Sequence, residues 1–579
     1  MITKQSFNGF YWYPYNENLN DDLTFEVAQK NNISINLSKL LLNRNIKKVS
    51  NFLNSKLKEN ISISQIMKLN NSKLKENISI SQIMKLNNIT KTNSFFEKVK
   101  KEKKISIFSD YDVDGACAAA ICKKLLSQFE IEVYTYIPNR LNEGYGLNMH
   151  ALDKLLDFSS NILVLDCGSN NILEQEYINK KGAQVVIVDH HECDNFFENA
   201  IVVNPKTPDD QSKLDDLCAT ALTFLLFVYL KNERIFESFD VLQYLDLVAL
   251  ATICDLVPLG DINRTLVKQG LKIINSENSN KGIQTLINQA KIKQSISEYH
   301  LGYILGPRIN AGGRMGESLL GFNLLSSDNI HQALQYSQII EGHNQNRQKI
   351  QTKIVSSIDL NDSKNQNLNF FYDEKWHIGI VGIIAGRLMR LNNKPSFVMT
   401  NSNEFVVGSG RSQGEKNIGQ LMMRAAEKGI IIKGGGHEKA CGFTLKEEKI
   451  QEFKSFLKEE TQDIEINNQK YFESQLDLNV INEKLINDLN LLSPFGQQNP
   501  EPIFKCENIK IEIIKVFKEK HTKLKFSDNL GSSCEGMFFD IPIDQLKSYL
   551  SQSSNFDCYF KVKKDTYSNK TVIHLEDIH

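Results

Sequence analysis

The sequence predicts an α/β protein with a doubly wound parallel sheet, a helical connector, a second α/β domain and a C-terminal OB-like β-barrel. Three observations lead there. From Lys104 onward, short apolar runs alternate with helical segments, as in a parallel sheet with crossover helices. From about 215 to 365 the strand signals give way to mostly helical sequence. After 465, five strand candidates follow one another with a helix after the third, the order of an OB-fold.

Taken in order, residues 1–95 form a polar, Asn- and Lys-rich N-terminal segment with weak periodicity. Within it residues 54–70 read NSKLKENISISQIMKLN, and residues 71–87 repeat them letter for letter. Two copies are too few for a solenoid. On one continuous helix a seventeen-residue shift rotates the second copy by roughly 260°, so both copies cannot bury the same stripe. One copy is therefore expected to dock and the other to bulge as a loop. The first follows Phe52 and Leu53, which can anchor it; the second follows Lys68-Leu-Asn70 and lacks such an anchor.

Residues 96–260 carry the parallel sheet. The run at 105–108 leads to Asp110, and 116–126 reads as a helix. A strand at 133–137 and a helix at 147–156 follow. The strand at 162–165 ends in Asp166, and that at 185–188 ends in Asp189-His190-His191. The apolar run 241–253 precedes Asp255. Residues 261–365 are the connector, with a long helix expected around 340–354. In the second α/β domain, 366–460, residues 379–384 and 397–399 are strand-like. The strands of the barrel, 465–579, are expected at 509–516, 523–526, 533–539, 557–562 and 571–575, and its helix at 543–550.

With 579 residues the chain is too long for one core. Apolar residues make up 41% and charged residues 24%, as in globular proteins. The ten cysteines include no C-x-x-C pair, which argues against a zinc ribbon or a secreted disulfide framework and for a reducing cytoplasm. The N-terminus has no apolar h-region of a signal peptide, and no uninterrupted apolar run is long enough to span a membrane. A formal net charge of −1 does not favour a nucleic-acid partner, although a local basic groove escapes the average.

The chemistry concentrates at strand ends. Asp110-Tyr-Asp112-Val-Asp114-Gly115 places three carboxylates at alternate positions. Three anions in one crevice need a cation. A calcium loop of EF-hand type is excluded, because its downstream Gly and Glu are missing and an Ala-rich helix follows. A single such acid is more often a cap or a solvated loop residue. Four separate segments ending in Asp or His point to one site, since ligands in doubly wound sheets bind beyond the carboxyl ends of the strands. Carboxylate and imidazole without thiolate suit Mn²⁺, with Mg²⁺ as the second choice. Two such ions clamp a phosphate and activate a water.

This set, together with Gly434-Gly-Gly-His437-x-x-Ala440-x-Gly442, resembles the DHH phosphoesterase superfamily. Further matches are the segment 306–314 (GPRINAGGR), Gly408-Ser-Gly-Arg-Ser412, Arg140-x-x-Glu143-Gly-Tyr-Gly146 and Ser493-Pro-Phe-Gly496. With the OB-like tail they resemble its single-stranded-DNA-specific exonuclease branch over roughly 100–579. The resemblance implies a DHH domain at 96–260, a DHH-associated substrate-binding domain at 366–460, and 5′-to-3′ hydrolysis of single-stranded DNA in recombination and repair. It implies two metal ions held by Asp110, Asp112, Asp114, Asp166, His190 and Asp255, with Asp112, Asp114, Asp166 and His191 as the catalytic set. Some members carry a metal-binding His two residues before the first Asp; here that position is Phe108, which alters the ligand set and not the expected activity.

The resemblance also points to Arg140, Ser409 and Arg411 as a pocket for a terminal 5′-phosphate. Arg308 and Arg314 lie in Gly-rich surroundings where a guanidinium can reach phosphate. Residues 434–436 can aim backbone N–H groups at an anion, although a lone triple glycine is usually a turn. His437 gains weight from its motif, and Tyr145 is a candidate for stacking on a base. A single-strand-binding protein is a partner only by resemblance. A relative acting on short oligonucleotides, cyclic dinucleotides or polyphosphate shares the metal set but needs neither connector nor barrel. A non-catalytic replication scaffold has no use for the acids.

Overall fold

The computed structural model describes residues 5–16, 19–53, 80–359, 367–413, 416–462, 468–565 and 568–579. Strand β1 is Tyr11–Pro14. The first large sheet contains β2 (Lys104–Ser109), β3 (Glu132–Tyr136), β4 (Asn161–Leu165), β5 (Gln184–Val188) and β6 (Ile201–Val203), all parallel, in the order β3-β2-β4-β5-β6. The chain winds outward from β2 to β3, then returns beside β2 and winds the other way. The crevice between β2 and β4 is thus the switch point of the sheet.

Helices α1 (Val113–Ser127), α2 (Ala219–Asn232) and α3 (Leu245–Cys254) pack behind this sheet. They are apolar on nearly all sides and buried almost throughout, as expected of helices enclosed by others. The same core continues through α4 (Gly306–Arg314) to Ile340, so much of the connector shares it. Helix α5 (Ile330–Ser357) then leads to the second sheet. That sheet holds β7 (Asn369–Tyr372), β8 (Ser396–Ser402), β9 (Phe405–Arg411), β10 (Lys433–Gly436) and β11 (Ala440–Leu445), in the order β10-β11-β9-β8-β7.

One expectation needs correction here. The run 379–384 is no strand: α6 spans Val381–Asn392. Its β-branched residues suggested a strand, but Val381, Ile384, Ala385 and Leu388 are the buried ones, and that spacing is helical. Residues 434–436 are not the turn that a lone triple glycine usually makes. They belong to edge strand β10, paired antiparallel to β11.

Strand β12 (Gln469–Phe472) pairs in parallel with β1. The C-terminal sheet follows with β13 (Ser474–Gln475), β14 (Phe504–Phe517), β15 (His521–Ser527), β16 (Ser533–Phe538), β17 (Phe556–Lys564) and β18 (Thr571–Ile578). The β14–β17 pairing closes it into a five-stranded barrel, and the helix Ile543–Leu550 lies after β16. The described part of the N-terminal segment up to residue 53 belongs to this end of the molecule. Trp12 stacks on Tyr559 at 4.3 Å, and Leu37, Leu40, Leu41 and Phe52 share the barrel's core. Buried Arg264 ties barrel and sheet together. Its guanidinium lies 3.8 Å from the Phe52 ring centroid and donates to the carbonyls of Leu491 and Leu492.

The first repeat copy lies outside the described residues; the second is described from Ile80. Contrary to expectation, the end of this copy docks. Ile83 and Leu86 are buried in the main core, Gln82 donates to the Ser212 carbonyl, and the Asn87 N–H donates to Asp210. The missing signal was at the wrong end: what anchors the copy follows it. Because the copies are identical and adjacent, deleting 71–87 gives the same polypeptide as deleting 54–70. The remaining copy then follows Phe52 and also docks its end. We expect this deletion to leave the melting temperature nearly unchanged, since the docked end is retained whichever copy is removed. Ile83→Ala in the same background is expected to cost about 2–5 kcal/mol in denaturant unfolding. A large loss in the deletion, or none in Ile83→Ala, contradicts this account.

Candidate active site

The site begins where β2 ends. The Asp110 N–H donates to the Leu165 carbonyl, so the chain leaves the sheet at the switch point. Asp112 is the N-cap of α1 and accepts from the N–H groups of Asp114 (2.8 Å) and Gly115 (3.2 Å). Gly115 is required by space, because a Cβ there would overlap the Asp110 carbonyl. Asp114 is held from the opposite side. Its carboxylate accepts from the N–H groups of Ala219 (2.7 Å) and Thr220 (2.9 Å) at the start of α2, where a helix N-terminus favours an anion. Asp166 follows β4 with φ +62°, in the left-handed region. Asp255 is the C-cap of α3.

Three overlapping groups of side chains result, each with its ligand atoms within 4.8 Å of one another: Asp110, Asp112 and Asp166; Asp114, His190 and Asp255; Asp166, His190 and His191. His190 Nε2 lies 3.4 Å from Asp166, 3.5 Å from Asp255 and 3.8 Å from Asp114. It is buried without a hydrogen-bond partner, and so is Asp110 Oδ1. Burial and the surrounding carboxylates raise the pKa values of Asp110, Asp112 and Asp166, and burial with Asp114 pushes Asp255 up to about 9. Burial brings His190 down to about 4, so its ring is neutral at pH 7 with a free lone pair. Crowded carboxylates facing an unpartnered neutral imidazole fit a divalent cation.

Asp189 serves a different purpose. It accepts from the backbone N–H groups of His190 and His191 and pairs with His191 Nδ1 at 2.7 Å. Burial works against its charge, but the His191 ring outweighs burial and holds the carboxyl well below its usual range. In return, Asp189 raises the pKa of His191 against the opposing effect of burial. His191 lies on the cleft wall, 3.3 Å from the Tyr145 hydroxyl and 6.4 Å, ring to ring, from His437. The cleft is a cavity of about 810 Å³ lined from the first sheet by Tyr145, Ser169, Asn170 and His191, and from the second by Asn417, Gly435, Gly436 and His437.

Arginines gather beside Asp110. The Arg140 guanidinium lies over the Tyr111 ring at 4.8 Å. Arg411 donates to the Ser409 hydroxyl (2.9 Å) and the Gly410 carbonyl. Arg314 donates to the Gly379 carbonyl, and burial with neighbouring Arg140, Arg347 and Arg411 brings its pKa down to about 9. Arg308 does not join this group. Glu341 on α5 accepts its Nε–H at 2.7 Å in an ion pair. Arg347, whose buried Nε has no partner, was not singled out from sequence. It sits in a polar helix without a motif. Asn170 and Asn417 were missed too, and no sequence signal marked either as facing the cleft.

Family models match the chain in three places: the DHH family, N-terminal domain, over 104–252; the DHHA1 domain over 364–463; and the RecJ OB domain over 472–577. The single-stranded-DNA-specific exonuclease RecJ of Bacillus subtilis is 29% identical over 449 residues, covering 76% of this chain and 56% of that protein. RecJ of Thermus thermophilus is 29% identical over 412 residues, covering 70% and 60%. RecJ of Escherichia coli is 27% identical over 441 residues, covering 71% and 76%. The matches thus span less than two thirds of the first two relatives. Among solved structures, RecJ from Thermus thermophilus in complex with Mn²⁺ has the same fold, with a TM-score of 0.81 at 21% identity over 98% of this chain and 79% of that one. A second structure, exonuclease RecJ bound to manganese, gives 0.58 at 28% identity over 66% and 96%. Among the described residues no helix is long and apolar enough to cross a membrane.

Proposed function

We propose that this chain, which matches the DHH, DHHA1 and RecJ OB family models in order, is a metal-dependent exonuclease that removes nucleotides from the 5′ end of single-stranded DNA, in recombination and repair. The observation that carries this reading is the juxtaposition of an acid–histidine cluster with an arginine cluster at one end of a cleft. The first pulls in divalent cations, the second a terminal phosphate. The named relatives support the substrate class.

Asp110, Asp112 and Asp166 would hold one ion, Mn²⁺ or Mg²⁺, and Asp114, His190 and Asp255 a second, with Asp166 placed to serve both. When bound, two such ions polarise the phosphodiester and lower the pKa of an attacking water. The protein positions the rest. Arg140, Ser409, Arg411 and Arg314 bind the terminal phosphate and fix the first phosphodiester over the carboxylates. His191, fixed through Nδ1 by Asp189, turns Nε2 to the cleft, where its proton can neutralise a phosphoryl or leaving oxygen. Tyr145, 55% exposed beside it, offers a ring to the terminal base. The barrel, with its N-terminal strap, extends the surface for the strand. The ten free cysteines, eight of them buried, fit a cytoplasmic protein. A single-strand-binding protein is the partner that the family suggests. The domains are 96–260, 261–365, 366–460 and 465–579, with the N-terminal segment serving the last through residues up to 53 and the first through residues from 80.

The test is degradation of 5′-labelled and 3′-labelled single-stranded DNA, duplex DNA, RNA and a linear dinucleotide with Mn²⁺. Mononucleotides released in order from the 5′ end of single-stranded DNA are expected. Hydrolysis confined to the dinucleotide would overturn the reading.

A further inference from the structure

At the Asp255 end of the metal-ligating cluster lies an exposed apolar step that the mechanism above does not use. Leu256 follows Asp255 with φ +59° and is 72% exposed. A leucine is seldom held in the left-handed region, and such strain collects at functional sites. Seated on the same helix end is a turn of π-helix, His300–Leu305. The Cys254 thiol donates to the Leu301 carbonyl, and Gly306 packs so closely that a Cβ there would overlap the Cys254 sulfur. Turns of this kind are rare and lie mostly at functional sites. This one carries Tyr303 and directly follows Tyr299; the two rings stack at 5.2 Å, and Tyr303 is 74% exposed. Rings so exposed add little to the core, and their mutual stacking fixes a flat surface in advance.

The direction of the substrate follows from the two ends of the cluster. The arginines lie at Asp110, while Asp255 groups with Asp114 and His190. A strand with its 5′-phosphate among the arginines and its first phosphodiester over the carboxylates leaves past Asp255. Resting on the exonuclease reading, we infer that Tyr299 and Tyr303, with Leu256, form a stacking platform for unpaired bases on the 3′ side of the scissile bond. Stacking on an aromatic ring tolerates any base but needs its face free. In a duplex both faces are already covered by neighbouring base pairs, so the platform favours single strands.

The experiment compares the full chain with Tyr303→Ala and Tyr303→Phe. KM is measured with Mn²⁺ on a 5′-phosphorylated oligothymidylate of about 20 nucleotides and on the matching dinucleotide, which is too short to reach beyond the first step of the platform. The ratio of the two KM values is expected to rise about tenfold in Tyr303→Ala, the effect of losing one stacked base, and to stay within about twofold of the parent in Tyr303→Phe, which keeps the ring. An unchanged ratio in Tyr303→Ala, or a parallel rise on both substrates, overturns the platform and leaves the exonuclease reading intact. A parent chain that hydrolyses neither substrate refutes that reading, and the platform with it.

Discussion

Asp166→Asn is expected to lower the rate of hydrolysis at least about a thousandfold, equivalent to about 4 kcal/mol of transition-state stabilisation. Asp166 belongs to two of the three ligand groups, so its loss disturbs both candidate ions. Asparagine is the informative replacement because it tolerates φ +62° and keeps the side-chain shape while losing the charge. Asp112→Asn is expected to match it. Asp112→Ala would also remove the N-cap of α1, worth about 1 kcal/mol, and confuse stability with catalysis. Without metal, burial and the neighbouring carboxylates raise the pKa of Asp166, so this acid costs stability at neutral pH, and replacing it should raise the melting temperature of the metal-free protein. The extra stabilisation gained on adding Mn²⁺ should shrink, because a ligand stabilises only as far as it binds the folded state. Affinity for single-stranded DNA should change little. Undiminished Mn²⁺-dependent hydrolysis in both asparagine variants would sink the metal assignment.

Arg411→Ala is expected to reduce the preference for 5′-phosphorylated over 5′-hydroxyl ends at least about tenfold, as loss of a charge-assisted hydrogen bond predicts. Ser409 and the Gly410 carbonyl brace the Arg411 guanidinium, so the bond is prepaid in orientation. Burial and nearby Arg140, Arg347 and Arg411 already depress the pKa of Arg314, which a bound phosphate dianion would relieve. Arg411→Lys retains the charge without the planar fork and should fall between the parent and Arg411→Ala. The readout is the ratio of kcat/KM on the two kinds of end. An equal ratio in parent and Arg411→Ala would remove Arg411 from the phosphate pocket.

Much of the acid–histidine cluster was legible because its information is local. A strand followed by Asp110, Asp166 or Asp189-His190-His191 can be read from a few residues, and the winding of a parallel sheet brings those strand ends to one edge. The barrel strands and the helix Ile543–Leu550 were legible for the same reason. Where local signals were ambiguous, reading failed: the apolar run at 379–384 suits a strand as well as the start of α6, and only packing decided. Arg308 looked like Arg314 in sequence, yet a glutamate on α5, 33 residues away, takes up its charge.

What the sequence by itself determined is the acid–histidine chemistry, the alternation that builds the parallel sheet and the presence of a terminal barrel. Each follows from side-chain type and short-range periodicity. Tertiary structure alone decided that Trp12 meets Tyr559, that Arg264 clamps residues 491–492 to the sheet domain, that the second repeat copy docks by its end, and that a π-turn bearing Tyr303 packs on Cys254 beside Asp255. These contacts join segments far apart in the chain, and no local preference encodes them. They form where burial of complementary apolar surface and satisfaction of buried hydrogen-bonding groups outweigh the entropy of closing long loops.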